Sequence, residues 1–322
     1  MKSHAQSTYR TRISPLHIVI QLIALGGLIA AWNAGQIAIA ACCALLIVFT
    51  IAVLPRLIRR AEMRFQKQAI LWLTSGRAED VIALARRQIL LQLFGATAPV
   101  DARMGLALCE LERFAEAIPS LENALPRAPQ TEAPALIAAL TRARFVTGDP
   151  IGAEKAGRTL LDKYGVHIGE TALLTARARI AQNKRDNITE NYIKMAEQHS
   201  RSKDEVLMCS LVRIEWELLN NRLKTELPAD ADSRKRFVQV WVHYIRGRIR
   251  EHRGQTDEAL KVYARAAAAE TSQHICFADL ARERIKALGK PMLQAAKQSE
   301  DAPDNNKATA DASQQKRKKK RR

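Results

Sequence analysis

From Ile13 to Pro55 the chain carries no Asp, Glu, Lys or Arg, an uninterrupted run of 43 residues. Soluble folds seldom leave a stretch of that length without charge, and a cleaved secretory signal has an apolar core of only roughly 7–15 residues. One straight helix over Leu16–Leu54 would be about 58 Å long, roughly twice the thickness of a bilayer's hydrocarbon layer. Breaking the run at Trp32-Asn33-Ala34-Gly35 resolves the mismatch. It leaves Leu16–Trp32 and Gln36–Leu54, each close to the ~17–25 residues of one crossing. Asn33 and Gly35 are turn formers, and Trp32 suits an interface. A transmembrane hairpin over residues 16–54, with spans near 16–32 and 36–54, is the expectation.

The flanks orient it. Lys2, Arg10 and Arg12 lie in the leading segment, residues 1–15; Arg56, Arg59, Arg60, Arg64 and Lys67 follow the hairpin; the turn has no charge. Both termini are expected on the cytoplasmic side of a membrane, with 55–66 a basic juxtamembrane helix or linker. The net charge of +18 divides unevenly: +6 over residues 1–64, +7 over 315–322, and only +5 over the 250 residues between. Basicity therefore reflects topology and a tail rather than a basic fold. The five cysteines form no C-x-x-C pair: Cys42 and Cys43 fall in the second span, while Cys109, Cys209 and Cys276 stand alone. Neither a disulfide framework nor a zinc site is indicated, and buried, inert thiols are expected. With 47% hydrophobic but only 5% aromatic residues, the body reads as all-α.

A repeat organises that body. Gly105 is followed by Ala117, Leu121, Ala124 and Pro129; Gly247 is followed by Ala259, Tyr263 and Ala266. Weaker units are marked by turns at Ser75-Gly76-Arg77, Thr147-Gly148-Asp149 and Asn183-Lys184-Arg185. Equivalent positions fall at 81, 117, 153, 188 and 259, so a degenerate unit is expected within Val206–Pro228, its second helix cut short by Pro228.

This pattern resembles the tetratricopeptide repeat family, whose 34-residue unit has a small residue at position 8, Ala at 20 and 27, a large residue at 24 and often Pro at 32. Gly105, Ala117, Leu121, Ala124 and Pro129 match in one unit, and Gly247, Ala259, Tyr263 and Ala266 in another, with Thr271 in place of the Pro. The resemblance implies a right-handed α-solenoid of about six helical pairs over residues 64–289, with small residues where paired helices cross closely.

In the resembled family the first helix of each unit faces a concave groove. Carrying its ligand-facing positions over gives Arg142, Arg177, Arg213 and Arg248 at nearly even pitch, with Phe145, Trp216, Trp241 and Tyr244 beside them. Such guanidinium groups suit the carboxylates of an acidic or C-terminal peptide. The same arginines equally suit salt bridges between repeats, to Glu170, Glu215 or Glu251. Arg144, Arg179 and Arg250 follow two residues on, about 200° around the helix, so both members of each couple cannot face one groove.

No H-E-x-x-H, G-x-S-x-G, Walker-type or G-x-G-x-x-G string occurs. Paired acids such as Glu79-Asp80 stand at helix starts, where they complement the helix dipole. No enzymatic activity, cofactor, metal or small-molecule substrate is expected. Residues 290–322 read as a disordered tail ending in Lys316, Arg317, Lys318, Lys319, Lys320, Arg321 and Arg322, suited to anionic lipid or to RNA or DNA phosphates. The function expected is a membrane-anchored scaffold that recruits a protein partner to the cytoplasmic face; a membrane-tethered nucleic-acid- or ribosome-binding protein is the alternative. Two spans, a basic segment and such repeats also resemble the HemY group of bacterial inner-membrane proteins associated with haem biosynthesis. That likeness implies a bacterial inner membrane and an accessory role there, although the turn here is shorter and uncharged.

Overall fold

The computed structural model describes residues 15–94, 97–228, 231, 233–268 and 275–300. Among these the regular structure is entirely helical, with no strand. Helix α1 (Pro15–Asn33) ends in a turn at Gly35, whose φ of +68° places it in the left-handed region that glycine adopts without penalty. Helix α2 (Ile37–Val48) then packs back along α1, with Gly27 facing the Cys43 sulfur. A π-helical turn, Phe49–Val53, joins α2 to α3 (Leu54–Thr74) without a break. Together they make one 38-residue helix, Ile37–Thr74, long and apolar enough to cross a membrane; Ile18–Asn33 is a shorter apolar helix. Leu22, Ile23, Ile37 and Leu45 project outward without protein cover.

The second apolar segment thus does not stop at Leu54 but continues as the first amphipathic helix of the body. Pro55 does not end it. A proline ring clashes with the carbonyl four residues back, here Ile51, and that carbonyl lies in the widened π turn. Along α3, Leu54, Phe65 and Ala69 are buried, while Arg56, Arg60, Arg64 and Lys67 recur on the opposite, exposed face.

The body continues as α4 (Ala78–Arg86), α5 (Ile89–Leu93), α6 (Thr97–Glu110), α7 (Phe114–Ala124), α8 (Ala133–Thr147), α9 (Pro150–Tyr164), α10 (Ile168–Ala181) and α11 (Asn187–His199). It ends with α12 (Lys203–Leu219), α13 (Arg236–His252), α14 (Thr256–Ala267) and α15 (Cys276–Glu300). Helices pack in pairs, α3 on α4, α6 on α7, α8 on α9, α10 on α11 and α13 on α14, and α6, α8, α10, α12 and α13 line up beside one another. The turns at Gly76 and Gly148 precede α4 and α9, both in left-handed conformation.

Helix α12 begins with a reciprocal cap, Ser202 Oγ accepting from the Glu205 N–H while the Glu205 carboxylate accepts from Ser202. Among the described residues no second helix follows it before α13. Residues 222–228 are non-helical, and the Glu217 carboxylate pins them by accepting from the backbone N–H groups of Lys224 and Thr225, each at 2.7 Å.

Close crossings rest on small residues. A Cβ on Gly105 would lie 2.7 Å from Leu121 Cγ, and one on Gly247 would overlap the Tyr263 ring. Ala117, Leu121, Ala124, Ala259, Tyr263 and Ala266 are all fully buried. Pro129 is buried in the loop before α8, where its carbonyl accepts from Glu132 and Ala133.

The row of helices also curls back on itself. Phe237, at the start of α13, meets Phe114 edge-on at 5.8 Å, and the Arg236 N–H donates to the Glu112 carboxylate. Phe277 on α15 stacks on Trp241 at 4.9 Å and meets Phe145 of α8 at 5.7 Å. The first third of the body and its last helices therefore share one core.

Candidate functional site

Where α15 closes against α8, α10, α12 and α13, a pocket of about 570 Å³ remains. Its apolar wall comes from Phe145, Ile180, Leu219 and Leu280, and its polar side from Arg177, Arg248, Arg284 and Tyr244. Volumes in this range are typical of small-molecule sites.

Arg177 is a buried cation on the pocket wall. It is 6% exposed, lies against the rings of Phe145 and Phe277, and forms an ion pair through Nε with Glu215, which is also buried. Trp241 Nε1 donates to the same carboxylate at 3.2 Å. Burial pushes the Glu215 carboxyl above its ordinary range, and the Arg177 guanidinium pulls against that shift. On the outer side Arg248 Nη1 donates to the Tyr244 hydroxyl at 3.1 Å. Glu251 serves two guanidinium groups, Arg284 at 3.3 Å and Arg248 at 3.8 Å, and accepts from the Tyr263 hydroxyl as well. Asp279, on the rim, is held by Arg282 at 2.6 Å. Cys276 is half-buried on the same wall, its thiol donating to the Phe145 carbonyl, and burial raises its pKa to about 11, which disfavours the thiolate at neutral pH.

Of the groove residues read from the sequence, the structure brings Phe145, Arg177, Trp241, Tyr244 and Arg248 together around this pocket and its floor. Arg142 and Arg213 lie elsewhere, Arg142 on Glu170 of α10 at 2.6 Å and Arg213 on Glu197 of α11 at 2.6 Å. Trp216 is half-buried against the core. Trp241 and Phe145 are buried, so neither offers a free flat surface. The arginines two residues further on point the other way: Arg144 to Glu122 on α7, Arg179 to Glu154 on α9 and Arg250 to Glu258 on α14. The tail cations Lys316 to Arg322 lie outside the described residues.

Three contributors carried no signal in the repeat pattern. Arg284, Asp279 and Leu280 belong to α15, beyond the last matched unit, and only an amphipathic reading of 276–289 would have placed them on an inner face.

No family model, no curated protein and no solved structure matches this chain.

Proposed function

We propose that the chain is a non-enzymatic, membrane-anchored scaffold of the tetratricopeptide kind. In this reading α1 and the apolar part of Ile37–Thr74 form a two-span hairpin, both termini face the cytoplasm, and the helical pairs from α3 onward form a right-handed solenoid that holds a partner protein at the membrane. The observation that carries the reading is continuity: the helix long and apolar enough to cross a bilayer is the same helix that packs into the body through Phe65 and Ala69. A partner bound by such a body is confined to the membrane surface, which raises its effective concentration for anything else held there.

Two large apolar residues suit docking. Ile151 and Ile188, in the first turns of α9 and α11, are 70% and 54% exposed. The test is photo-cross-linking from each position in intact membranes, with alkaline-carbonate extraction of the chain in parallel. A discrete protein adduct shared by both positions, and reduced when residues 1–53 are removed, is the expected result. Extraction of the chain by carbonate would discard the anchor, and absence of a protein adduct would discard the scaffold.

A further inference from the structure

We propose that the pocket between α8, α10, α12, α13 and α15 binds a small amphipathic anion, a carboxylate or phosphate monoester carried on a compact apolar body. This goes beyond partner recruitment and does not depend on it.

The argument is an accounting of donors and charges. Arg177 meets Glu215 through Nε, and no described residue accepts a hydrogen bond from its Nη atoms, although the side chain is more than nine-tenths buried on the pocket wall. Arg284 uses Nη1 on Glu251, and Arg248 uses Nη1 on Tyr244 and Nε, loosely, on Glu251. Each guanidinium carries five N–H donors, so among the described residues all three retain unfilled donors at one pocket. The acids do not absorb the excess. Glu215 is taken by Arg177 and Trp241, Asp279 by Arg282, and Glu251 is one carboxylate between two guanidinium groups. One positive charge is left over, and planar guanidinium forks match the oxygens of carboxylate and phosphate.

The remaining wall selects for more than a bare ion. Phe145, Ile180, Leu219 and Leu280 offer apolar surface next to those donors, which an inorganic anion would leave wet. A ligand there would also touch α8 and α15 at once, bridging the contact by which the last helix folds back on the body.

The experiment is isothermal titration of the full chain in nanodiscs of phosphatidylcholine, using 4-phenylbutyrate, phenyl phosphate, neutral 4-phenylbutanamide and inorganic phosphate. Saturable binding of an anionic aryl probe is expected, at least tenfold tighter than the amide and inorganic phosphate. It is expected to weaken at least tenfold in Arg248→Gln/Arg284→Gln. Ala181→Trp, which fills the exposed mouth and leaves every arginine in place, provides the same loss should the double variant fold poorly. The proposal is overturned if neither anionic aryl probe saturates, if the amide or inorganic phosphate binds equally well, or if binding survives both the double arginine variant and Ala181→Trp.

Discussion

A methyl group at position 247 would run into the Tyr263 ring, and one at 105 into Leu121. Helix propensity favours Ala over Gly by about 1 kcal/mol, whereas overpacking a fixed contact costs typically 1–3 kcal/mol, so the steric term wins. Gly247→Ala is expected to lower stability by up to about 2 kcal/mol, read as a lower midpoint in thermal melts followed at 222 nm. Asp101 makes a different test. It lines a smaller pocket with Arg86, Gln92 and Glu116, and burial raises its pKa to about 6 against the pull of Arg127. Its unfolded value is about 3.9, so the fold binds that proton more tightly than the unfolded chain does. The contribution is complete below about pH 4 and is lost as pH rises through about 6. Asp101→Asn should therefore melt higher than the parent at pH 7, and the difference should vanish below pH 4.

At the scale of elements, helix starts carry much of the legible information. The Gly76 and Gly148 turns, and the Asp186 side chain that accepts from the Thr189 N–H, stand where α4, α9 and α11 begin, and each is a local signal. Ser202 belongs to the same class: Ser202→Ala removes one arm of a reciprocal cap and should cost about 1 kcal/mol. The expected sign is faster amide exchange at Lys203–Val206 with exchange at the α13 core unchanged. What was not legible at this scale also has a physical reason. The Ile13–Pro55 run announces apolar length and a break near Gly35, but whether residues 55–66 continue the second span as a helix or leave it as a linker could not be read, because a π turn leaves no sequence mark. Likewise the spacing of Arg142, Arg177, Arg213 and Arg248 is visible, while the choice between an outside ligand and an internal carboxylate depends on Glu170, Glu215, Glu197 and Glu251, three of which lie on other helices.

For the whole molecule the decisive contacts are non-local. Phe114 with Phe237, and Phe145 with Phe277, join residues more than a hundred positions apart, and no periodicity predicts them. The all-helical class and the close glycine crossings could be read ahead of the structure; the curl that turns a row of helices into a closed body could not. Phe277 is the keystone of that closure, stacked on Trp241 and fully buried. Phe277→Ala should cost about 3–5 kcal/mol. Because α15 holds Cys276 against Phe145, the same change should make Cys276 react with a maleimide faster than the parent thiol, which is half-buried and hydrogen-bonded to that carbonyl. Unaltered protection would show that α15 is held by other means.

The unbroken helix Ile37–Thr74 works like the shank of a key. Each residue of an α-helix advances the axis by about 1.5 Å but rotates it by about 100°, so the number of residues between the apolar length and Phe65 fixes a compass bearing far more than a height. One amino acid inserted near Leu57 would barely lift the body, yet it would swing the mouth of the arginine pocket roughly a quarter turn around the rod.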